Sequence, residues 1–280
     1  MNLIFTLNAN YIPPLKVFLY SIFEKNKKET NTIYLLYRDM PDNLLEEVET
    51  LVHHYGHDFF PIDCSEEYPS QMEWTTSRYY SIEMYDWLMA PFFLPKDVKK
   101  GLYLDPDIVC LNDFSDWYHQ PFNESYFKAA SHNYVTKFVE PFNKLRLQNY
   151  SSEGYFNSGV VLMNLEAVRK HFTLSDILDA IDTHKNKLIL PDQDIFNLLF
   201  SDRIEEVEWR EFNMAPFVFE ILTRLFPDEY HMDQVKEEVI FLHYMGKQKP
   251  WDKREDYRYQ LGSFYFEYEK EAKKKFPSLF

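Results

Sequence analysis

The feature that most constrains the fold is an alternation, over the first 63 residues, of short apolar runs with segments of helical periodicity. Residues 2–7, 31–37 and 58–63 are typical of buried strands, whereas 15–23 and 42–55 carry helical patterns. Strands that alternate with helices need crossover connections, so this order predicts an α/β fold with a mostly parallel sheet flanked by helices. Ligands of such sheets bind beyond the carboxyl ends of the strands.

The rest of the chain continues the pattern, without internal repeats or low-complexity linkers. Further strands are predicted at 99–104, 126–131, 159–165 and 239–246. Further helices are predicted at 76–95, 173–185, 192–200 and 255–275. We therefore expect one domain over residues 1–252 and a C-terminal helical extension, 253–280, packed on it.

Composition excludes several classes of protein. With 45% hydrophobic and 18% aromatic residues, the chain can form a core and is not disordered. Its net charge of −15 argues against nucleic-acid binding, which needs a basic face. Its two cysteines, Cys64 and Cys110, form no CxxC pair and fit a reducing compartment.

The sequence offers no candidate membrane-spanning segment. No run approaches the about 18 apolar residues of a membrane span. The apolar start lacks a basic region, and Asn8, Asn10 and Pro13 interrupt it, which favours a buried strand over a signal peptide. We expect a cytoplasmic protein. The last helix, which ends in Lys273–Lys275, leaves peripheral contact with a membrane's inner face open, although packing on its own domain is favoured.

The carboxylates of Asp105 and Asp107 follow the predicted strand 99–104, and Pro106 between them limits how far they diverge. Carboxylate oxygens suit hard cations such as Mg²⁺ or Mn²⁺. Alone, such a pair is more often a turn. It also resembles the nucleophile motif of haloacid dehalogenase-type phosphatases, but that motif normally lies on the first strand. The pair can therefore be interpreted in three ways: as metal ligands, as part of a turn, or as the motif of a nucleophilic aspartate.

Two further segments carry candidate chemistry. "HYMGKQKPW" (243–251) offers His243 as a metal ligand, Gly246 for a tight turn and Lys249 as a cation for phosphate. A lone histidine beside an apolar strand is, however, usually a core residue.

"PDQDIFN" (191–197) places Asp192, Gln193 and Asp194 in the first turn of a helix, where acidic residues are favoured by the helix dipole alone. Gln193 is an uncharged amide that can bind a sugar hydroxyl. "FNSGVVLMN" (156–164) adds the small polar residues Asn157, Ser158 and Gly159 before a strand.

Five stretches, taken in order, resemble glycosyltransferase family 8, the retaining, nucleotide-sugar-dependent family of GT-A (Rossmann-like) fold. It includes bacterial galactosyl- and glucosyltransferases and glycogenin. The resemblance spans about residues 3 to 251. The stretches are NANY (8–11), LDPD (104–107), FNSGVVLMNL (156–165), PDQDIFN (191–197) and HYMGKQKPW (243–251).

The resemblance implies a role for each matching residue. The metal ligands for Mn²⁺, or Mg²⁺, would be Asp105, Asp107 and His243. The residues that bind the UDP-sugar would be Asn8, Ala9, Asn10, Tyr11, Asp105, Pro106, Asp107, Gly246 and Lys249. The catalytic residues around the transferred sugar would be Asn157, Asp192 and Gln193, with Gln193 nearest the reactive carbon.

The implied reaction is transfer of glucose or galactose from a UDP-sugar to a free, lipid-linked or protein-linked saccharide. Gln193 is a poor nucleophile, so we expect same-face displacement in which the leaving diphosphate accepts the acceptor's proton, rather than double displacement.

One position departs from the family pattern. Members often carry a Tyr-Arg pair before the Asp-x-Asp strand, and here Asp86 and Trp87 stand in its place. Arg78 is a candidate substitute. The departure keeps open a second function, a non-catalytic protein that binds nucleotide-sugars or glycans on the same scaffold. The sequence gives no oligomeric state.

Overall fold

A twisted central sheet and a small two-stranded sheet form the framework. The computed structural model describes residues 1–66, 82–131, 154–252 and 254–280. Their strands are β1 (Asn2–Thr6), β2 (Thr32–Tyr37), β3 (Asp58–Asp63), β4 (Lys100–Leu104), β5 (Ile108–Cys110), β6 (Phe127–Ser131), β7 (Phe156–Asn164), β8 (Ile204–Val207) and β9 (Phe241–His243).

The central sheet has the order β3-β2-β1-β4-β7-β6-β8, and β5 pairs with β9 in the small sheet. Only β7 runs against its neighbours in the central sheet; every pair without it is parallel. The predicted mostly parallel α/β fold is therefore confirmed. The carboxyl ends of β1 and β4 lie side by side, which places the segments after them at one edge.

Helices cover both faces of the sheet. They are α1 (Ile12–Lys25), α2 (Asp42–His54), α3 (Asp86–Phe93), α4 (Ser115–His119), α5 (Leu165–His171), α6 (Leu174–His184), α7 (Pro191–Phe200), α8 (Trp209–Phe212), α9 (Pro216–Leu225), α10 (Met232–Glu238) and α11 (Gly262–Lys275). A 3₁₀ turn, Ala9–Tyr11, joins β1 to α1, and another, Ile82–Tyr85, precedes α3.

Several predicted boundaries were wrong. The expected strand 239–246 shortens to β9 because its partner β5 has only three residues. The expected helix 255–275 begins at Gly262, after a 3₁₀ turn. Of the expected helix 76–95, α3 is the described α-helical part, and residues 76–81 lie outside the described residues.

The core forms on both faces of the sheet because side chains alternate along each strand. On β1, Leu3 and Phe5 pack against α1 on one face, whereas Ile4 joins α3, α6 and α7 on the other. Trp87 and Phe196 lie in this second core.

The last helix packs on the first. Ala272 and Phe276 are buried in the same core as α1, and the rings of Tyr20 and Tyr268 meet edge to face at 6.4 Å. The division of the chain at residue 252 stays a prediction. Within the described residues, every helix is too short or too polar to span a bilayer.

Candidate functional site

The end of β4 and the β5–β9 pairing bring the predicted metal ligands together. β4 ends at Leu104, and the backbone N–H of Asp105 donates to the Gly159 carbonyl at 2.8 Å. β5 starts at Ile108 and pairs in register with His243 of β9. The chain therefore carries Asp105 and Asp107 past a histidine that lies far away in sequence.

The ligand atoms of Asp105, Asp107 and His243 all lie within 4.8 Å of one another. His243 Nε2 is 3.0 Å from Asp107 Oδ1 and 3.5 Å from Asp105 Oδ2. Asp107 Oδ1 is buried and accepts no hydrogen bond. A buried carboxylate oxygen without a donor is costly unless a cation occupies the space beside it. The two carboxylates and the imidazole suit a divalent ion such as Mn²⁺.

Asn213 fixes the orientation of the imidazole. Its Oδ1 lies 2.8 Å from His243 Nδ1, and both side chains are buried. With the proton held on Nδ1, the lone pair of Nε2 faces the two aspartates, as in a histidine prepared for a metal. The sequence patterns did not single out Asn213, which precedes a single-residue bridge between Met214 and Leu242.

Gly159 provides the space for this cluster. A Cβ at residue 159 would lie 2.3 Å from His243 Cε1 and 2.7 Å from Asp105 Oδ2. A side chain there would displace two of the three candidate ligands. Steric exclusion therefore explains why residue 159 of the FNSG segment is a glycine.

Lys249 forms an ion pair with Asp107 Oδ2 and donates to the Tyr244 carbonyl at 2.9 Å. Burial opposes ionisation of Asp107, but the ammonium group of Lys249 lowers the pKa of this carboxyl below its usual range. For Asp105, burial and then the charge of Asp107 raise the pKa to about 6. Asp107 is therefore the more readily ionised of the two carboxylates.

A cleft of about 240 Å³ opens beside the cluster. Its lining includes Thr6, Leu7, Asn8, Tyr11, Glu83, Met84, Tyr103, Asp105, Pro106, Asp107, Ser158 and Asp192. The Tyr103 hydroxyl donates to Asp105 Oδ1 at 2.5 Å. Tyr103 and Glu83 were not predicted from the sequence. Glu83 has a buried oxygen without a partner, and a cleft with such acceptors suits the hydroxyl groups of a sugar.

The predicted sugar-binding residues meet at the start of α7. Gln193 Oε1 accepts from Asn157 Nδ2 at 3.2 Å and from the Ser158 N–H at 3.4 Å, while its Nε2 is buried without a partner. Burial raises the pKa of Asp192, and the hydrogen bond from Trp87 Nε1 at 3.0 Å opposes that rise.

Asp194, two residues on, has a structural part. Its Oδ2 accepts from the backbone N–H groups of Ile189 and Leu190, and its Oδ1 accepts from the Tyr155 hydroxyl. It is fully buried and anchors the loop before α7. Within the PDQD segment, Asp192 therefore lines the cleft, whereas Asp194 stabilises the loop before α7.

The predicted nucleotide-binding turn also borders the cleft. Asn8 caps the 3₁₀ turn by accepting from the Asn10 N–H at 3.1 Å, and Tyr11 faces Trp251 edge to face at 6.3 Å. Among the described residues the cleft lining takes in Asn8 and Tyr11 but not Ala9, Asn10 or Gly246. Gly246 is exposed and adopts φ +93°, which glycine tolerates best.

Asp86 and Trp87, which replace the Tyr-Arg pair of the family pattern, both form hydrogen bonds with residues outside α3. Asp86 is fully buried and accepts two hydrogen bonds from the Arg38 guanidinium, at 2.9 and 3.2 Å. Trp87 donates its indole N–H to Asp192 Oδ2. Arg78, the candidate substitute, lies outside the described residues.

Comparisons with known proteins identify relatives of this chain in sequence. The sequence model described as "Glycosyl transferase family 8" matches residues 2–255. A lipopolysaccharide 1,2-glucosyltransferase of Escherichia coli is 26% identical over 89% of this chain and 73% of its own. A lipopolysaccharide 1,3-galactosyltransferase of Salmonella typhimurium is 22% identical over 89% and 72%.

Solved structures share the fold. The galactosyltransferase LgtC, in complex with donor and acceptor sugar analogs, superposes with a TM-score of 0.79 at 20% identity, and each chain is fully covered. The glycosyltransferase GlyE of Streptococcus pneumoniae gives a TM-score of 0.69 at 21% identity, covering 99% of this chain and 64% of its own.

Proposed function

Because the chain belongs to glycosyltransferase family 8, we propose that it is a metal-dependent, retaining transferase that moves glucose or galactose from a UDP-sugar to a saccharide acceptor. The observation that carries the proposal is the buried oxygen of Asp107, which has no donor and faces His243 Nε2 at 3.0 Å beside the cleft.

Asp105, Asp107 and His243 would hold the ion, and a bound divalent cation stabilises the charge that develops on a leaving diphosphate. Lys249 forms an ion pair with Asp107, and its ammonium group can provide further positive charge beside the diphosphate. Asn213 keeps the imidazole turned toward the aspartates.

The sugar side supports displacement without a covalent intermediate. Gln193, whose Nε2 has no partner, is an amide and a poor nucleophile, and it can bind a hydroxyl group of the transferred hexose. Asp192 lines the cleft and can accept from another hydroxyl. The acceptor oxygen then attacks from the face that the diphosphate leaves, and its proton passes to the leaving diphosphate.

The acceptor is proposed from chemistry and from the relatives. Several relatives are named for transfer to lipopolysaccharide. We expect a saccharide or glycan, free, lipid-linked or protein-linked, and a cytoplasmic location that allows contact with the membrane's inner face.

One observation favours a second candidate, a non-catalytic nucleotide-sugar-binding protein. Trp87 occupies the position at which the family pattern expects an arginine that reaches the donor. A site that lost this cation could bind without turnover.

The test is release of UDP from a panel of UDP-hexoses with Mn²⁺ or with a chelator. We expect release with UDP-glucose or UDP-galactose that the chelator abolishes, and a loss of about 100-fold or more in Asp107→Ala. Asp116→Ala, which removes an exposed aspartate from α4, is the matched control and should behave as wild type. Tight binding of UDP and Mn²⁺ without release from any donor would favour the binding protein. Full turnover by Asp107→Ala at saturating Mn²⁺ would contradict the metal assignment.

A further inference from the structure

Trp87 makes a directed contact with the sugar side of the cleft. It is the second residue of α3, its side chain is 1% exposed, and its indole N–H donates to Asp192 Oδ2 at 3.0 Å. Because an indole N–H is a neutral donor, it orients the carboxylate without cancelling its charge. Asp192 thus remains a strong acceptor for sugar hydroxyl groups.

The same ring also contacts the metal side. Trp87 stacks on Tyr103 with ring centroids 4.9 Å apart and an interplanar angle of 15°. The Tyr103 hydroxyl in turn donates to Asp105 Oδ1, one of the candidate metal ligands. One side chain therefore touches Asp192 directly and supports Asp105 through a single intermediate.

The surroundings hold this ring in place. Phe196 of α7 meets Trp87 edge to face at 5.2 Å, and α7 is the helix that carries Asp192. The neighbouring Asp86 fixes the start of α3 through its two hydrogen bonds from Arg38. A rigid, two-torsion side chain packed on both sides can act as a reference for the groups it touches.

We propose that Trp87 is a positioning residue that orients the Asp192 carboxylate toward the transferred sugar and braces Tyr103 against Asp105. The role rests on the proposed function, since it assumes that a UDP-hexose occupies the cleft. It gives this chain a neutral substitute for the arginine that the family pattern expects.

Calorimetric titration of wild type and Trp87→Phe with the UDP-hexose that wild type binds most tightly, and with UDP alone, both in Mn²⁺, tests the first half. Phenylalanine keeps an aromatic ring on Tyr103 but removes the N–H. We expect the affinity for the UDP-hexose to fall about tenfold, because the lost hydrogen bond goes to a charged group. The affinity for UDP should stay within about twofold of wild type, because UDP lacks the hexose whose hydroxyl groups Asp192 is proposed to bind.

Trp117→Phe is the matched control. Trp117 is also buried and packs on Phe212 at 4.5 Å, but its indole N–H has no partner. We expect a lower melting temperature and unchanged affinity for both ligands, which separates loss of packing from loss of positioning.

Trp87→Leu, which removes the stack as well, tests the second half. We expect it to weaken the binding of UDP with Mn²⁺ severalfold, and wild-type binding by this variant would overturn the bracing of Asp105. Wild-type affinity of Trp87→Phe for the UDP-hexose would overturn the orientation of Asp192. Failure of wild type to bind any UDP-hexose would overturn the proposed function, and the role of Trp87 with it.

Discussion

Asp107 divides its two oxygens between different partners. Oδ2 pairs with Lys249, while Oδ1 faces the lone pair of His243 Nε2 and receives no hydrogen bond. The lysine keeps the pKa of Asp107 low despite burial, so the carboxylate stays charged. A charged oxygen and a lone pair that face each other at 3.0 Å repel unless a cation lies between them.

Gly159 gives a residue-scale test of this cluster that leaves the ligands themselves unchanged. A Cβ in Gly159→Ala would meet His243 Cε1 at 2.3 Å and Asp105 Oδ2 at 2.7 Å, so both ligands must move. We expect the affinity for Mn²⁺ with UDP to fall about tenfold or more, because displaced ligands lose coordination geometry. Calorimetric titration measures the change.

Gly154→Ala is the control, since the three nearest described atoms to its Cβ would all belong to the ring of Phe156, the first at 3.2 Å. It should bind Mn²⁺ with UDP as wild type does. Wild-type affinity in Gly159→Ala would contradict the arrangement of ligands described above.

The sequence predicts the ligands better than it predicts what supports them. Asp105 and Asp107 follow a predicted strand and have the chemistry of metal ligands, and the resemblance to family 8 groups His243 with them. Asn213 could not, because it reaches His243 through a single-residue bridge that leaves no periodic signal. Tyr103 reads as an ordinary strand aromatic, and only its hydrogen bond to Asp105 distinguishes it.

At the scale of elements, the two shortest strands of the described residues position the site. β5 and β9 have three residues each, yet their register sets Ile108 opposite His243. Hydrophobic periodicity does not detect strands of three residues, so β5 was not predicted and β9 was predicted to be too long. β7 is a second case. The apolar run at 160–163 predicts a buried strand but gives no direction, and the structure has β7 antiparallel to β4 and β6.

The contact between α1 and α11 predicts a dependence of stability on pH. Glu24 of α1 accepts from Lys275 and Tyr55 and pairs with Lys27. Although burial opposes the shift, these partners lower the pKa of Glu24 from 4.5 to about 2. A depressed carboxyl pKa stabilises the folded state above the ordinary value, and this stabilisation is lost as pH falls from about 4.5 toward 2.

Glu24→Gln should therefore lower the free energy of unfolding by about 1 kcal/mol at pH 7, a magnitude suited to a partly exposed network. The difference from wild type should shrink steadily as pH falls below about 4.5. Urea unfolding at a series of pH values measures it. Glu267→Gln, on the exposed face of α11, should show no such dependence. A constant difference at every pH would refute the ion-pair account.

The whole molecule carries a net charge of −15, but the proposed donor is itself an anion. Long-range electrostatics therefore oppose binding, and the local charge at the site has to reverse the field. Lys249 offsets only one of the two negative charges of Asp105 and Asp107. The cluster therefore becomes positive only with a divalent ion held by these aspartates and His243. The charge of the whole chain, as well as the geometry of the cluster, therefore favours the proposed metal dependence.

The most direct test of this account is a crystal of the protein grown with Mn²⁺ and UDP, with anomalous diffraction recorded for manganese. We expect one anomalous peak at about 2 Å from carboxylate oxygens of Asp105 and Asp107 and from His243 Nε2, with the diphosphate of UDP on its open side. Bound UDP with no peak among these three side chains, or a peak elsewhere on the protein, would contradict it.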